Sequence, residues 1–172
     1  LGALTAIRDG AMRLDDPIRK FLPEFKVKSR FPGSNANRIT IRHLLSHWSG
    51  LCHEAPVGSN ADFRPCTFKQ HINSISDTWL VAPVGSRFSY SNLGIDLIGY
   101  ILQVISRKPF EEYMATQVLD PLGMNSSTFH QDTALATNNV AQGHSLTGPV
   151  PVRRIPMVPA GGMYSSVVDM AK

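Results

Sequence analysis

Between Leu93 and Ser106, apolar residues fall at Leu93, Leu97, Ile98, Ile101, Leu102 and Ile105. That spacing lines one face of a helix, whereas a strand would send alternate residues to opposite faces. It predicts a helix from Leu93 to about Ser106 with a buried stripe that the rest of the chain has to cover. Directly ahead lies Pro83-Val-Gly-Ser-Arg-Phe-Ser-Tyr-Ser-Asn-Leu-Gly94, in which Pro83 and Gly85 mark a turn. Tyr90 and Asn92 thus bring a phenol and an amide to the mouth of the helix. They share a face if the segment is extended, and the helix N-terminus directs unpaired N–H groups and positive partial charge to the same place. A tyrosine in such a field, with a lysine ammonium nearby, can have its pKa lowered toward useful values. Taken alone, Tyr-x-Asn is a weak motif, and the plainer reading is a buried aromatic followed by an Asn N-cap.

The remaining segments are read in order. Leu1, Leu4 and Ile7 recur at helical spacing and Gly10 sits where a C-terminal cap belongs, so Leu1 to Arg13 reads as the end of a helix. Leu14-Asp-Asp-Pro17 is a turn leading into a short helix that buries Ile18, Phe21 and Leu22. Phe25 to Arg38 reads as a polar surface loop. Thr40 is an N-cap for a helix through Ser46 that buries Ile41, Leu44 and Leu45, with Ser49-Gly50 ending it. His43 and His47 have the i, i+4 spacing of metal ligands, but no glutamate follows His43, and backbone-bonded structural histidines are the expectation. Leu51 to Cys66 is irregular, and Thr67-Phe-Lys-Gln70 is a capping box opening a helix through Ile75. Trp79 to Ala82 forms an apolar lead-in to the central stretch.

Pro109 opens the next helix, with Glu111 and Glu112 matching its dipole and Phe110, Tyr113, Met114 and Leu119 buried. Gln131 to Pro156 reads as loop with one strand near Val140 to Ser145. Gly161-Gly162 permits a close backbone approach, or is an ordinary glycine turn. Ser166-Val-Val-Asp169 is a second capping box with only three residues after it. A cut helix at each end makes residues 1–172 a single partial domain.

Composition narrows the function classes. With 172 residues and 42% apolar content the chain can bury a sizeable core. No apolar run approaches the roughly 20 residues of a bilayer-spanning helix, so no integral membrane segment is expected. No signal peptide is visible, but the chain opens on Leu1, which leaves the compartment open. The net charge is +4, and Arg19, Lys20, Lys26, Lys28, Arg30, Arg38 and Arg42 cluster early. These bases are scattered among Pro, Phe and Gly with no recognition helix or aromatic platform, so no nucleic acid partner is expected. Cys52 and Cys66 lack metal-site spacing, and either two free thiols or an export-dependent disulfide fits them. No metal and no cofactor is expected.

Five stretches carry a resemblance. They are Leu14-Asp-Asp-Pro17, Ile39-Thr-Ile-Arg-His-Leu-Leu-Ser-His-Trp-Ser-Gly-Leu51, Tyr90-Ser-Asn92 with its helix, Pro121-Leu-Gly-Met124, and Gly161-Gly-Met-Tyr-Ser-Ser166 ahead of Asp169. In this order they resemble the serine β-lactamase and penicillin-binding-protein superfamily, in its class C β-lactamase-like branch with D-aminopeptidases, D,D-peptidases and esterases. The resemblance implies an α+β fold, an antiparallel sheet flanked by helices, of which this chain holds mainly the helical region. It implies Tyr90 as general base and acid. Asn92 then binds substrate and orients a lysine, and Gly161 and Gly162 lie along the substrate. It also slightly favours a periplasmic or secreted location.

Enzymes of this kind use a Ser-x-x-Lys nucleophile and a third motif, Lys-Thr-Gly or His-x-Gly; the 172 residues contain none of these. A serine hydroxyl is a weak nucleophile until a neighbour takes its proton, and a phenolate serves only where cations hold its pKa near ambient pH. The expected parent is therefore a serine hydrolase acting by acyl transfer on a small-molecule amide or ester (a β-lactam, a D-amino-acid peptide or a small ester), and the chain by itself is expected to be inactive. Ser91 tilts the resemblance toward the esterase- and peptidase-like members. The alternatives are a non-catalytic relative kept as a binding or assembly module and a small all-helical interaction protein.

Overall fold

The computed structural model describes residues 1–59, 62, 64–152 and 155–172. The longest helix, α4 (Asn92–Ser106), is the axis of the core. Leu93, Leu97, Ile98, Ile101 and Leu102 are all buried on it, as the periodicity requires. Burying a side chain of this size removes about 1.5–3 kcal/mol of unfavourable hydration, so a stripe of five organises whatever packs over it.

Five helices pack against α4: α1 (Gly2–Arg8), α2 (Ile41–Leu45), α3 (Phe68–Ser74), α5 (Phe110–Met114) and, late in the chain, α7 (Val158–Gly161). Two glycines of α4 allow the closest approaches. A Cβ at Gly94 would lie 3.1 Å from the Leu44 carbonyl oxygen, and one at Gly99 would overlap the Pro159 ring. The core also takes in Met12, Ile18, Ile39, Ile41, Leu44, Leu51 and Ile75, each nearly or completely buried.

The caps behave as local chemistry dictates. Thr40 accepts from the His43 N–H, and the His43 ring returns a bond to the Thr40 backbone N–H. Thr67 and Gln70 close a reciprocal box on α3. The Leu14–Pro17 turn is fastened to the start of α2 by Ile18 N–H to Ile39 O at 2.8 Å, Ile41 N–H to Asp16 O at 3.1 Å and Arg42 N–H to Leu14 O at 2.7 Å. The Leu14–Pro17 and Ile39–Leu51 stretches are thus hydrogen-bonded to each other.

Several elements differ from the expectation. His47 does not share a helical face with His43: α2 stops at Leu45, and His47 turns away with φ +61°. The polar loop before Thr40 contains a short 3-10 turn, Ala36–Arg38. In the segment Gln131 to Pro156 the expected strand is present as His144–Ser145, and two further elements accompany it. The segment holds α6 (Gln131–Ala136) and a hairpin of β1 (His144–Ser145) with β2 (Gly148–Pro149), register His144 opposite Pro149. After α5 the chain continues as a π-helical turn, Ala115–Leu119. Ser166 opens α8 (Val167–Met170) with a one-sided cap, because the Asp169 carboxylate turns instead to Ser126 N–H and Ser127 Oγ. Cys52 and Cys66 are free thiols.

Candidate active site at the start of helix α4

Ser91, not Asn92, is the N-cap of α4. Its backbone is extended at φ −147° and ψ 114°, and its hydroxyl accepts from the Gly94 N–H at 3.2 Å while donating to Cys52 O at 2.7 Å. An extended residue sends its neighbours to the opposite side. Tyr90 and Asn92 accordingly both turn toward the consecutive residues His53 and Glu54. The Tyr90 ring meets the His53 ring edge-on at 5.4 Å, and Asn92 Nδ2 donates to Glu54 Oε1 at 2.8 Å. The Asn92 backbone N–H donates to His53 O at 3.1 Å. On its other side the Tyr90 ring lies 4.5 Å from the His47 ring.

Tyr90 is therefore not a buried aromatic. It is 52% exposed, and among the described residues its hydroxyl takes part in no hydrogen bond. Asn92 is buried at 8% exposure. A carboxylate only accepts hydrogen bonds, so the contact to Glu54 fixes the amide with Nδ2 inward and leaves Oδ1 as an acceptor. The two histidines are backbone-bonded, as expected of structural histidines: His43 through Thr40, and His47 through Nδ1, which accepts from the Ser91 N–H at 3.2 Å. Burial holds the His43 imidazole below its ordinary pKa. The left-handed backbone at His47 places its ring between Phe88 and Tyr90.

Gly161 and Gly162 belong to the α7 segment, which packs on α4. Gly161 ends α7 and Gly162 caps it; a Cβ at Gly162 would crowd the Val158 backbone at 2.8 Å, whereas one at Gly161 would meet open space. No hydrogen bond joins either glycine to Tyr90 or Asn92 among the described residues. The connection runs through Asp96, one turn after Asn92, whose Oδ1 accepts from the Ala160 N–H at 3.1 Å.

Sequence reasoning did not single out His53 and Glu54, which lie in the irregular stretch after Leu51. Their only local signal is an acidic residue just beyond the Ser49-Gly50 turn. The pairing with Asn92 spans 38 positions. Among the described residues no cluster of three or more His, Cys, Asp or Glu could hold a metal ion, and no helix is long and apolar enough to cross a membrane.

Helices gathered on α4, with a small antiparallel hairpin and an exposed tyrosine at the start of that helix, define a β-lactamase/transpeptidase-like fold. The octameric penicillin-binding protein homologue from Pyrococcus abyssi superposes with a TM-score of 0.78 at 32% identity, over 99% of this chain and 40% of that one. The chain belongs to the β-lactamase family, whose profile, described as Beta-lactamase, matches residues 1–172. It is 34% identical over 174 residues to beta-lactamase-like protein 4 of Dictyostelium discoideum, covering 92% of this chain and 30% of that protein. It is 31% identical over 168 residues to the D-alanyl-D-alanine-carboxypeptidase/endopeptidase AmpH of Escherichia coli K12, covering 95% of this chain and 42% of that protein. The chain thus spans between 30% and 42% of the length of these two relatives.

Proposed function

We propose that residues 1–172 are one partial domain of a serine hydrolase, carrying the Tyr-x-Asn side of an acyl-transfer site. The nucleophile in this reading is the serine of a Ser-x-x-Lys pair supplied by sequence outside these residues. The serine oxygen attacks the carbonyl carbon of an amide or ester, and its proton passes to the oxygen of Tyr90, which takes part as the phenolate beside the lysine ammonium of that pair. Tyr90 then returns that proton to the leaving nitrogen or oxygen as the carbon–leaving-group bond breaks, giving an acyl-enzyme and a free amine or alcohol. Water reverses the sequence, releasing the acid and restoring the serine. Asn92 Oδ1 accepts from the lysine ammonium or a substrate N–H.

The observation that carries this reading is the free, half-exposed Tyr90 hydroxyl beside an amide locked by Glu54 at a helix N-terminus. The carboxypeptidase/endopeptidase relative supports an amide or ester substrate for this chain's parent.

The test is fluorophosphonate labelling and ester hydrolysis with the full product of the natural gene. Labelling is expected on a serine encoded ahead of Leu1. Tyr90→Phe is expected to lower kcat by about 100-fold or more, the usual worth of proton-transfer catalysis, with an unchanged melting temperature. Near-wild-type turnover in that variant would remove Tyr90 from the mechanism, and absence of labelling would leave a binding module.

A further inference from the structure

His71 and Asp96 are both fully buried, with side chains at 0% exposure. His71 Nε2 lies 3.1 Å from Asp96 Oδ2 and Nδ1 lies 2.8 Å from Val57 O. A carbonyl can only accept, so Nδ1 carries a proton, and one further proton is shared between Nε2 and the carboxyl. The second oxygen of Asp96 receives the Ala160 N–H at 3.1 Å. Every polar atom of this buried pair therefore faces a partner, and the partners come from four separate places: the 57 loop, α3, α4 and α7.

Burying an ionisable pair is a weak way to gain stability, since desolvation offsets most of the attraction. What such a pair fixes is geometry. Here the geometry is that of the segment ending in Gly161 and Gly162. α7 has four residues and no side-chain cap. Its hold on α4 is the Asp96–Ala160 bond together with the close seat of Pro159 on Gly99. Asp96 lies four positions after Asn92 on the same helix, so its bond to Ala160 ties the start of the 160–162 segment to the helix that carries Asn92.

We propose that Asp96, oriented by His71, is a positioning residue that holds the Gly161-Gly162 segment in place on the helix that carries Asn92. This rests on the proposed reading of Tyr90 and Asn92 as an acyl-transfer site, together with the placing of Gly161-Gly162 along the substrate that the family resemblance implies. Asp96 touches no reacting atom. Its effect falls on how the acyl substrate is held, not on how readily the nucleophile attacks a small reagent.

Two variants separate that role from bulk stability. Asp96→Asn keeps an oxygen for the Ala160 N–H and offers its amide N–H to the unprotonated Nε2 of a neutral His71, so it preserves the geometry without the charge. Asp96→Ala removes the anchor. In the full natural protein, Asp96→Ala is expected to raise KM for peptide or ester substrates about tenfold or more, the scale set by a lost hydrogen bond to a charged group. The fluorophosphonate labelling rate is expected to stay within about twofold, because that reagent does not reach along the 161–162 backbone. Asp96→Asn is expected to restore the wild-type KM.

Equal loss of labelling and hydrolysis in both variants would overturn the proposal, as would an unchanged KM in folded Asp96→Ala. A wild-type protein that is neither labelled nor active overturns the hydrolase reading and this inference with it. Should Asp96→Ala fail to fold, amide exchange on the wild type still decides. The Ala160 amide is expected to be protected like those in the middle of α4, and exchange at the rate of an exposed loop amide would overturn the anchoring role.

Discussion

At residue scale, three consecutive side chains divide the work at the start of α4. Ser91 closes the helix end and ties it to Cys52, while Tyr90 and Asn92 face the other way, toward His53 and Glu54. Ser91→Ala removes an N-cap and leaves the part-buried Cys52 carbonyl without its Ser91 donor. It is expected to cost about 1–2 kcal/mol, read as a lower urea midpoint with faster amide exchange at Gly94. A second residue-scale consequence is pH dependence. Burial disfavours charge on His71, but the hydrogen bonds to Asp96 and Val57 O outweigh it, leaving the imidazole pKa above its ordinary value. A raised folded pKa means that the contribution to stability is complete below the ordinary imidazole range and is lost as pH rises through the folded value. Urea midpoints of the wild type are therefore expected to fall as pH rises above the ordinary imidazole range. That fall should be shallower in Asp96→Asn, where His71 is already neutral; identical slopes would mean that the pair does not titrate in this range.

At the scale of elements, what could be read from the sequence was what is decided locally. The α4 stripe, the Thr40 and Thr67 caps and the buried face of α5 each depend on residues within one or two helical turns, and each stands as expected except at Ile105, which is only partly buried. Elements whose energetics lie elsewhere were not legible. α6 buries only Ala134 and has no side-chain cap; of the hairpin, β1 falls within the strand expected near Val140 to Ser145, whereas β2, two residues with no alternation to read, was not expected. His47 and Arg107 take left-handed backbones that favour glycine, so their turns carried no glycine signal. The site divides in the same way. Tyr90 and Asn92 are visible in the sequence as a motif, whereas Glu54 and the His71–Asp96 pair exist only once distant segments meet. The load on α4 can be tested directly. Ile101→Asp places a carboxylate in a site with no exposure, at a cost of several kcal/mol. Loss of cooperative melting is expected, along with the near-ultraviolet circular dichroism of the aromatic cluster around Tyr90; a cooperative transition near the wild-type temperature would show that α4 is not the organising element.

At the scale of the whole molecule, the apolar residues divide between a closed core and an open surface. Leu1, Leu4, Trp48, Phe88, Val167, Val168 and Met170 are all substantially exposed, Val167 at 87%. Single exposed hydrophobes are ordinary, but contiguous apolar surface on a soluble chain marks a place where something else packs. Val167, Val168 and Met170 fall within one short helix, and Trp48 and Phe88 flank the His47 turn beside Tyr90. The relatives are more than twice as long, so their additional chain offers partners for such surfaces. The 172-residue chain by itself is expected to bind a hydrophobic dye and to self-associate at micromolar concentration in sedimentation velocity, while the full natural protein is expected not to bind the dye. Val167→Lys with Val168→Glu should reduce association without lowering the melting temperature, since neither side chain contributes to the core. A wild-type chain that stays monomeric and dark to the dye would mean that these residues are scattered rather than joined. The apolar surface would then carry no demand for a covering layer, and the case for a larger domain would rest on the lengths of the relatives alone.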